Sequence, residues 1–381
     1  MGFASEDDFL SEMTNGKYLR VDNNKLTSPV HTAGGWHLLA GLNGSPNSTT
    51  FPGTDLQFVS CSETVGDGTS VFGIQNGGNV APDTKHLASI GAGVVAAAGA
   101  PWQAKLVDIQ GYYRLSTTNV TGTSSRTLIN TNTFTANAGT DVITYTNDFT
   151  NLTKVRFTTT TTLPAGLSLA TDYWLVRQSS TTAKVASSYA NALAGTTIDI
   201  TDAGTGTHTL TIQMPRYADG VGCEAFFVSQ TAPATGGPNL TASDYTNPSG
   251  TTGRAFQGTP GMNAAADAYA TRILHSGNAA GKYGPFLPRQ GADTGIARIN
   301  SFTWSGGTAY TGTGVVALVI ARPLADISIP VTGMWSERDL KNQLPSLPEV
   351  KPGACLSWML FGTGATTANS PFTSAIDFVW G

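Results

Sequence analysis

The segment Thr209–Met214, which reads TLTIQM, alternates strictly between polar and apolar side chains. Leu210, Ile212 and Met214 fall on one side of the pattern, and the polar residues fall on the other. Because successive side chains of a β-strand point to opposite faces, the pattern predicts a strand with one buried and one exposed face. The nearby segment 197–201 (TIDIT) repeats the alternation and predicts a second such strand.

The same rhythm of short β-branched or aromatic runs and turn signals continues outward along the chain. The segments 76–77 (NG) and 305–307 (SGG) are turn signals of this kind. The segment 327–331 alternates again, but Pro330 lies inside it, which predicts an edge strand or a strand end. Such spacing is typical of a β-sandwich or a β-barrel. Periodicity leaves open whether Ala264–His275 forms a helix or an irregular arm.

One short helix is expected near the amino terminus. Ser5 is placed to cap it and Gly16 to end it, while Phe9, Leu10 and Met13 share one face. A helix of this kind can pack on its own domain or on a neighbour. The chain as a whole is therefore predicted to be all-β with little helix.

The composition predicts a folded chain with a neutral surface, of the kind common where protein meets protein. Only 12% of the 381 residues are charged, whereas about 25% is usual for soluble domains, and 44 residues are glycine. A hydrophobic content of 40% distinguishes the chain from a disordered protein. The 21 lysines and arginines are scattered singly and the net charge is −4, which argues against binding to nucleic acid.

No membrane segment or secretory signal is expected. The longest strongly apolar run, Val315–Ala321, is far shorter than the roughly 20 residues that a membrane-spanning helix needs. The segment Met1–Asp8 is acidic and lacks the basic and apolar regions of a signal peptide.

A shift in composition marks an internal segment, residues 131–214, in which threonine is densest. We interpret it as an inserted small β domain, because insertions are well tolerated at loop tips. Residues 1–130, with the short helix, and residues 215–381 then form the two halves of one β body. The segment Pro215–Gly220 suits a surface loop where the chain re-enters that body.

A search for catalytic, cofactor-binding and metal-binding residues yields none to propose. No two histidines have the spacing of metal ligands; the five are His31, His37, His86, His208 and His275. The cysteines are far apart and odd in number, and we interpret them as small buried hydrophobic residues without a disulfide or a metal. They are Cys61, Cys223 and Cys355.

Two glycine-rich segments superficially match nucleotide-binding motifs. Gly91–Ala96 has the spacing of a dinucleotide-binding turn, with Asp108 further along, but Gly99 and Pro101 would break the helix that must follow. A small-residue packing segment or a loop is the favoured interpretation. Gly277–Lys282 is one residue short of a phosphate-binding loop. No cofactor is therefore expected.

Four motifs in the inserted segment resemble a small β module that recurs in structural proteins of tailed bacteriophages. They are Leu163–Leu167 (LPAGL), Tyr173–Val176 (YWLV), Thr182–Ala186 (TAKVA) and Asp202–Leu210 (DAGTGTHTL). The resemblance implies a compact β domain within a virion structural protein.

A second resemblance covers roughly residues 215–360, where four segments resemble phage virion proteins of the head. They are Met214–Tyr217, Tyr245–Arg254, Gly291–Ile296 and Ala321–Leu324. This resemblance implies a jelly-roll-like viral β-sandwich that acts in the virion as a capsid auxiliary subunit, commonly a homotrimer. The implied partners are other copies of the chain and the major capsid protein or other virion proteins. The first 130 residues carry no recognisable motif.

The sequence thus predicts a jelly-roll-like β-sandwich body with an inserted β domain. The predicted function is non-enzymatic: a decoration subunit that cements a phage capsid through protein–protein contacts. The terminal segments Gly2–Asn15 and Leu344–Leu356 are candidates for reaching a neighbouring subunit.

Two alternatives stay open. A tail- or fibre-associated adhesin that binds host-surface glycans would present exposed aromatic residues on the insert. An enzyme would need two carboxylates that converge in a cleft. The chain has seven tryptophans, and we expect most of them to be core or interface anchors.

Overall fold

The computed structural model of the protein describes most of the chain. The described residues are 3–27, 34–39, 44–45, 73–74, 76–95, 101–117, 123–231, 238–262, 272–274, 284–305, 314–344, 346–364 and 370–381. Strands dominate them, which confirms the predicted all-β class with little helix.

The described residues form two α-helices, two short 3₁₀ turns and twenty strands. Helix α1 is Glu6–Thr14 and α2 is Tyr189–Leu193, and the 3₁₀ turns are Ala218–Gly220 and Lys341–Gln343. The strands in chain order are β1 Tyr18–Thr27, β2 Gly35–Leu38, β3 Gly44–Ser45, β4 Lys85–Val94, β5 Trp102–Thr117, β6 Thr123–Thr127, β7 Thr131–Asn137, β8 Val142–Thr144, β9 Lys154–Thr159, β10 Tyr173–Arg177, β11 Thr182–Ala186, β12 His208–Ile212, β13 Glu224–Thr231, β14 Asn239–Thr246, β15 Ile273–Leu274, β16 Arg298–Ser305, β17 Gly314–Ile329, β18 Trp335–Asp339, β19 Leu356–Gly362 and β20 Ser370–Trp380.

Eleven of these strands form a two-sheet body, and eight of the eleven make four nested pairs. One sheet has the strand order β18-β4-β20-β1-β3, and the other has the order β15-β13-β17-β5-β19-β2. The pairs are nested and antiparallel, with β1 against β20, β2 against β19, β4 against β18 and β5 against β17. A long hairpin of strands folded over into two sheets in this way is a jelly roll. The predicted jelly-roll-like body is therefore confirmed.

The chain between β5 and β17 carries the other large elements. Strands β7 to β12 close into a barrel with the order β10-β11-β8-β7-β12-β9. Strands β6, β14 and β16 form a separate three-stranded sheet, whereas β13 and β15 extend the larger body sheet. The insertion thus adds a closed barrel and a small sheet to the body.

Three apolar cores border the larger body sheet, and two of them lie towards its opposite ends. At one end, Ile90 and Phe372 of the first sheet are buried together with Leu106 and Trp358 of the second. At the other end, Phe227 of β13 packs edge-on against Trp304 of the three-stranded sheet, with ring centroids 4.9 Å apart. Strands β5 and β17, each 16 residues long, run through both cores and join them.

Helix α1 packs on its own body. The Ser5 hydroxyl accepts a hydrogen bond from the Asp8 amide at 3.1 Å, as expected of a cap. Phe9 is buried and Met13 packs against the body core, but Leu10 is 47% exposed. The predicted helix is therefore present, with a narrower apolar face than its sequence indicated.

The strand predictions at 209–214 and 327–331 are confirmed, whereas the prediction at 197–201 is wrong. β12 buries Leu210 and Ile212 on its inner face, and β17 ends at Ile329, immediately before Pro330. The segment 197–201 forms no strand: the Ile198 amide bonds to the Val185 carbonyl of β11 at 2.7 Å, but the Ile200 amide bonds to the Asp141 carboxylate at 3.0 Å, so the ladder does not continue. Of Ala264–His275, residues 273–274 form β15, and residues 264–271 and 275 lie outside the described residues. The turn at 305–307 lies largely outside them as well.

Candidate functional site

A buried ion pair ties the chain that leaves the barrel to the body. The Arg216 guanidinium donates to both Asp108 carboxylate oxygens at 2.9 and 2.8 Å and to the Ile109 carbonyl at 2.7 Å. The Cys355 amide donates to Asp108 at 2.8 Å. The expectation that Pro215–Gly220 is a surface loop is therefore wrong at Arg216, whose positive charge is drawn inward to neutralise a fully buried carboxylate.

Two of the phage-like motifs in the insert meet at one end of the barrel. Asp202 accepts hydrogen bonds from the Ala165 amide at 3.0 Å and the Gly204 amide at 2.8 Å. Thr162 and Thr205 exchange backbone hydrogen bonds at 3.2 and 2.9 Å. These contacts give the motifs LPAGL and DAGTGTHTL a structural role, because hydrogen bonds between the two loops hold both loops in place.

Two segments of the second resemblance, Tyr245–Arg254 and Gly291–Ile296, also meet. The Asp293 carboxylate accepts hydrogen bonds from the Tyr245 hydroxyl at 2.6 Å, from Asn247 at 2.8 Å and from the Arg254 guanidinium at 2.8 and 3.2 Å. These donors, Arg254 first, lower the pKa of Asp293 to about 2. This cluster joins the loop after β14 to the loop before β16 and is structural in character.

The residues weighed for chemistry are placed in structural positions. Gly91–Val94 lies within β4, where Gly91 leaves room for the Trp335 ring: an added Cβ would meet that ring at 2.3 Å. The favoured packing interpretation of this segment fits that contact. The segment Gly277–Lys282 lies outside the described residues. Among the described residues, no group of three or more His, Cys, Asp and Glu is placed to hold a metal ion.

The structure places the described histidines and cysteines and overturns one expectation about the cysteines. His208 bonds to the Thr159 hydroxyl at 2.9 Å and to the Ala203 carbonyl at 3.1 Å within the barrel. Cys223 is free and buried, and burial raises its pKa to about 12. Cys355, however, is disulfide-bonded, so the interpretation of all cysteines as unpaired is wrong. Cys61 lies outside the described residues, as do two of the histidines, His31 and His275.

The two terminal segments proposed to reach a neighbour pack within their own subunit. Phe3 and Phe9 are buried in the body core beside α1. Leu347, Val350 and Leu356 belong to the same core and are at most 5% exposed. Several apolar side chains of both segments are thus buried within the chain, whereas Leu10 is exposed, and the reach of these segments to a neighbouring subunit stays a prediction.

The tryptophans divide into core and surface residues. Four are buried, namely Trp36, Trp102, Trp304 and Trp358. Trp335 is 44% exposed at the start of β18, and Trp174 and Trp380 are partly exposed. No helix among the described residues is long and apolar enough to cross a membrane.

Trp335 belongs to an exposed apolar patch on the body, made of Val95, Val331, Met334 and Trp335. Their exposed fractions run from 44% to 59%. The Gly333 amide donates to the Val94 carbonyl at 2.8 Å, which brings the turn after β17 beside the end of β4. Strand β18 lies at the edge of its sheet and pairs only with β4 among the described strands. Apolar side chains beside an open strand edge are typical of a protein–protein contact surface.

A second surface feature is a cleft between the barrel and the body, with a volume of about 470 Å³. The barrel contributes Trp174 from β10 and Lys154 and Arg156 from β9. The remaining lining comes from Asn151, Leu152, Asp172, Ser188, Tyr189, Ala190, Pro215, Arg216, Tyr217, Asn79, Ala81, Lys351 and Pro352. Trp174 reaches the cleft because Tyr173 and Leu175 point into the barrel core, so the alternation of YWLV could have predicted its outward position.

The charged groups of the cleft are paired. Lys154 and Arg156 contact the Asp172 carboxylate at 2.6 and 2.5 Å, and Arg156 also reaches Asp219 at 3.0 Å. Burial alone would raise the pKa of Asp172, but the hydrogen bonds from the two cations outweigh burial and lower it. The Lys154 ammonium also lies over the Trp174 ring, 5.6 Å from its centroid.

Comparisons with protein families and with curated proteins found no match. Among solved structures, the chain is similar to the structure of the infectious bursal disease virus Gx strain, with 12% identity, a TM-score of 0.16 and coverage of 95% of this chain and 81% of that chain. For the VP2 subviral particle of the same virus, the identity is 9%, the TM-score is 0.18 and the coverage is 95% and 80%. At TM-scores this low the likeness carries no argument, and the fold rests on the chain's own strand pairing.

Proposed function

We propose that the chain is a non-enzymatic structural subunit of a tailed-bacteriophage particle, and specifically a decoration subunit that cements the capsid. The observation that carries the proposal is the nested eight-strand jelly roll with its large insertion between β5 and β17. Jelly rolls occur in viral capsid proteins, in lectins and in cupins. The phage-like motifs at 163–167 and 202–210 favour the virion among these uses.

The surface of the subunit supports a role in protein–protein contact. Only 12% of the residues are charged, so little charge must be desolvated when the surface is covered. The patch of Val95, Val331, Met334 and Trp335 supplies exposed apolar area next to an open strand edge. We propose that copies of the chain meet through this patch in a closed symmetric oligomer, a homotrimer, which then binds the major capsid protein.

The proposal also assigns a position to the inserted segment, residues 131–214. We propose that residues 131–214, which contain the barrel strands β7 to β12, form a separate domain that projects from a body built of residues 1–130 and 215–381, to which the three-stranded sheet belongs. A domain carried on the crossover between two body strands is exposed to whatever surrounds the particle.

Two measurements test the proposal. Mass spectrometry and immunogold labelling of purified particles should find the chain on the head, and light scattering of the purified protein should give three times the 39.5-kDa chain mass. Absence of the chain from the particles contradicts a virion role. Labelling of the tail alone contradicts the decoration role and favours an adhesin.

A further inference from the structure

We propose that the cleft between the barrel and the body is a binding site for a neutral oligosaccharide. This inference goes beyond the cementing role and does not depend on where the subunit sits in a particle. It rests on the charge balance of the cleft, on its aromatic wall and on its free hydrogen-bond donors.

The cations of the cleft are each neutralised by a carboxylate. Lys154 and Arg156 are held by Asp172 as described, and Arg216 is held by Asp108 at 2.8 Å. Lys351 pairs with Glu349 at 2.6 Å. A phosphate or nucleic-acid ligand needs unpaired positive charge, which these pairs do not offer. The balance instead suits an uncharged polar ligand.

The wall of the cleft offers an aromatic surface with polar groups around it. The Trp174 indole faces the cleft, and the C–H face of a pyranose ring packs on such a surface while its hydroxyl groups bond to the surroundings. Asn79 and Asn151 accept backbone hydrogen bonds through their side-chain oxygens, at 3.1 and 2.9 Å. Their amide NH₂ groups donate to no other described group, so they can donate to sugar hydroxyls.

The floor of the cleft is held rigid before any ligand arrives. The Arg216–Asp108 pair fixes the segment beneath it, and Tyr217, which lines the cleft, adopts the left-handed backbone region with φ of 60°. Non-glycine residues hold such angles only where their surroundings enforce them, and these angles are common at binding sites. A cleft volume of about 470 Å³ lies within the range of small-ligand sites, roughly 300–1,000 Å³.

The test uses the full-length protein and an array of bacterial O-antigen and capsular oligosaccharides, both neutral and acidic, followed by calorimetric titration of the strongest binder. Trp174→Ala should weaken binding about tenfold or more, because it removes the stacking surface. The matched control is Trp380→Ala, another partly exposed tryptophan that lies outside both the cleft and the exposed patch, and its Kd should equal that of the wild type. Since the cations are paired, raising the salt concentration should change the Kd by less than about twofold.

Three outcomes overturn the inference. They are binding to no oligosaccharide on the array, equal affinity of Trp174→Ala and wild type, and selective, salt-sensitive binding of acidic sugars. Trp174→Phe keeps a ring at the same position and should retain most of the affinity if stacking carries it, whereas a folding defect would show in the circular dichroism spectrum. A negative result in the binding assay does not bear on the result of immunogold labelling, so the two proposals are tested separately.

Discussion

At the scale of single residues, the Asp108–Arg216 pair is the most deeply buried ion pair among the described residues. Both side chains are at most 5% exposed, so removing one partner leaves a buried charge without compensation. We expect Asp108→Asn to lower the free energy of unfolding by about 3–5 kcal/mol in denaturant titrations.

The control for this prediction is an ion pair at the surface. Asp148 contacts Arg177 at 2.8 Å with side chains 58% and 36% exposed, and Asp148→Asn should cost less than about 1 kcal/mol. Equal losses for the two variants would show that burial of the Asp108 carboxylate does not set its contribution.

Asp293 gives a prediction about acid stability. Its pKa of about 2 in the folded protein lies below the value of about 3.9 expected in the unfolded chain, so its contribution to stability is complete above pH 4 and is lost as the pH falls towards 2. In Asp293→Asn, the melting temperature should therefore fall less steeply between pH 4 and pH 2 than in the wild type. A wild-type slope in the variant contradicts the role assigned to the Arg254 and Tyr245 hydrogen bonds.

Neither of these residue pairs could be predicted from the sequence. Asp108 and Arg216 are 108 positions apart, and Arg254 and Asp293 are 39 apart, so only the folded chain brings them together. The sequence predicted a surface loop at Arg216 because Pro215–Gly220 follows the inserted domain, and no local pattern indicates that Asp108 lies beside it. Trp174 differs, since its outward position follows from alternation within β10.

At the scale of elements, the contact between the LPAGL and DAGTGTHTL loops of the barrel requires a glycine at position 204. Gly204 has φ +67°, and a Cβ there would lie 2.5–2.8 Å from backbone atoms of Thr162, Leu163 and Pro164. Gly204→Ala should destabilise the barrel and speed amide hydrogen exchange in β9 and β12. Gly250→Ala is the control: its φ is +83° but its Cβ would meet nothing within 4 Å. If the two variants behave alike, backbone strain and not the close approach of the loops explains the glycine.

Sequence patterns predicted the elements whose ends are set by neighbouring residues in the chain. The capping hydroxyl of Ser5 and the apolar spacing predicted α1, and Pro330 predicted the end of β17. The alternation of 197–201 predicted a strand that is absent, because only the Ile198 amide bonds to a neighbouring strand, whereas the Ile200 amide bonds to the side chain of Asp141. Alternation reports which side chains are buried, and Ile200 is indeed buried, but it does not report which backbone partner is present.

At the scale of the whole molecule, the order of the strands is set by contacts across almost the entire chain. Tyr18 pairs with Val379 at the two ends of the sequence, and no local pattern encodes such a pairing. Composition and rhythm could predict a sandwich or a barrel, and the structure contains both. The jelly roll itself was predictable only through the resemblance to phage proteins, because topology depends on which sheet each strand joins.

If subunits meet through the exposed apolar patch around Met334, a charge placed in that patch should prevent self-association. Met334, 59% exposed within the patch, and Leu169, also 59% exposed but on the barrel, are matched in exposure and differ in location. Met334→Glu would place a charge in the proposed contact between subunits, where it must be desolvated, and should convert the oligomer to monomers in sedimentation velocity. Leu169→Glu should leave the oligomer intact. If both variants remain oligomeric, the subunits meet through another surface and the patch has a different partner; if both dissociate, the contact reaches the barrel and the insert takes part in assembly.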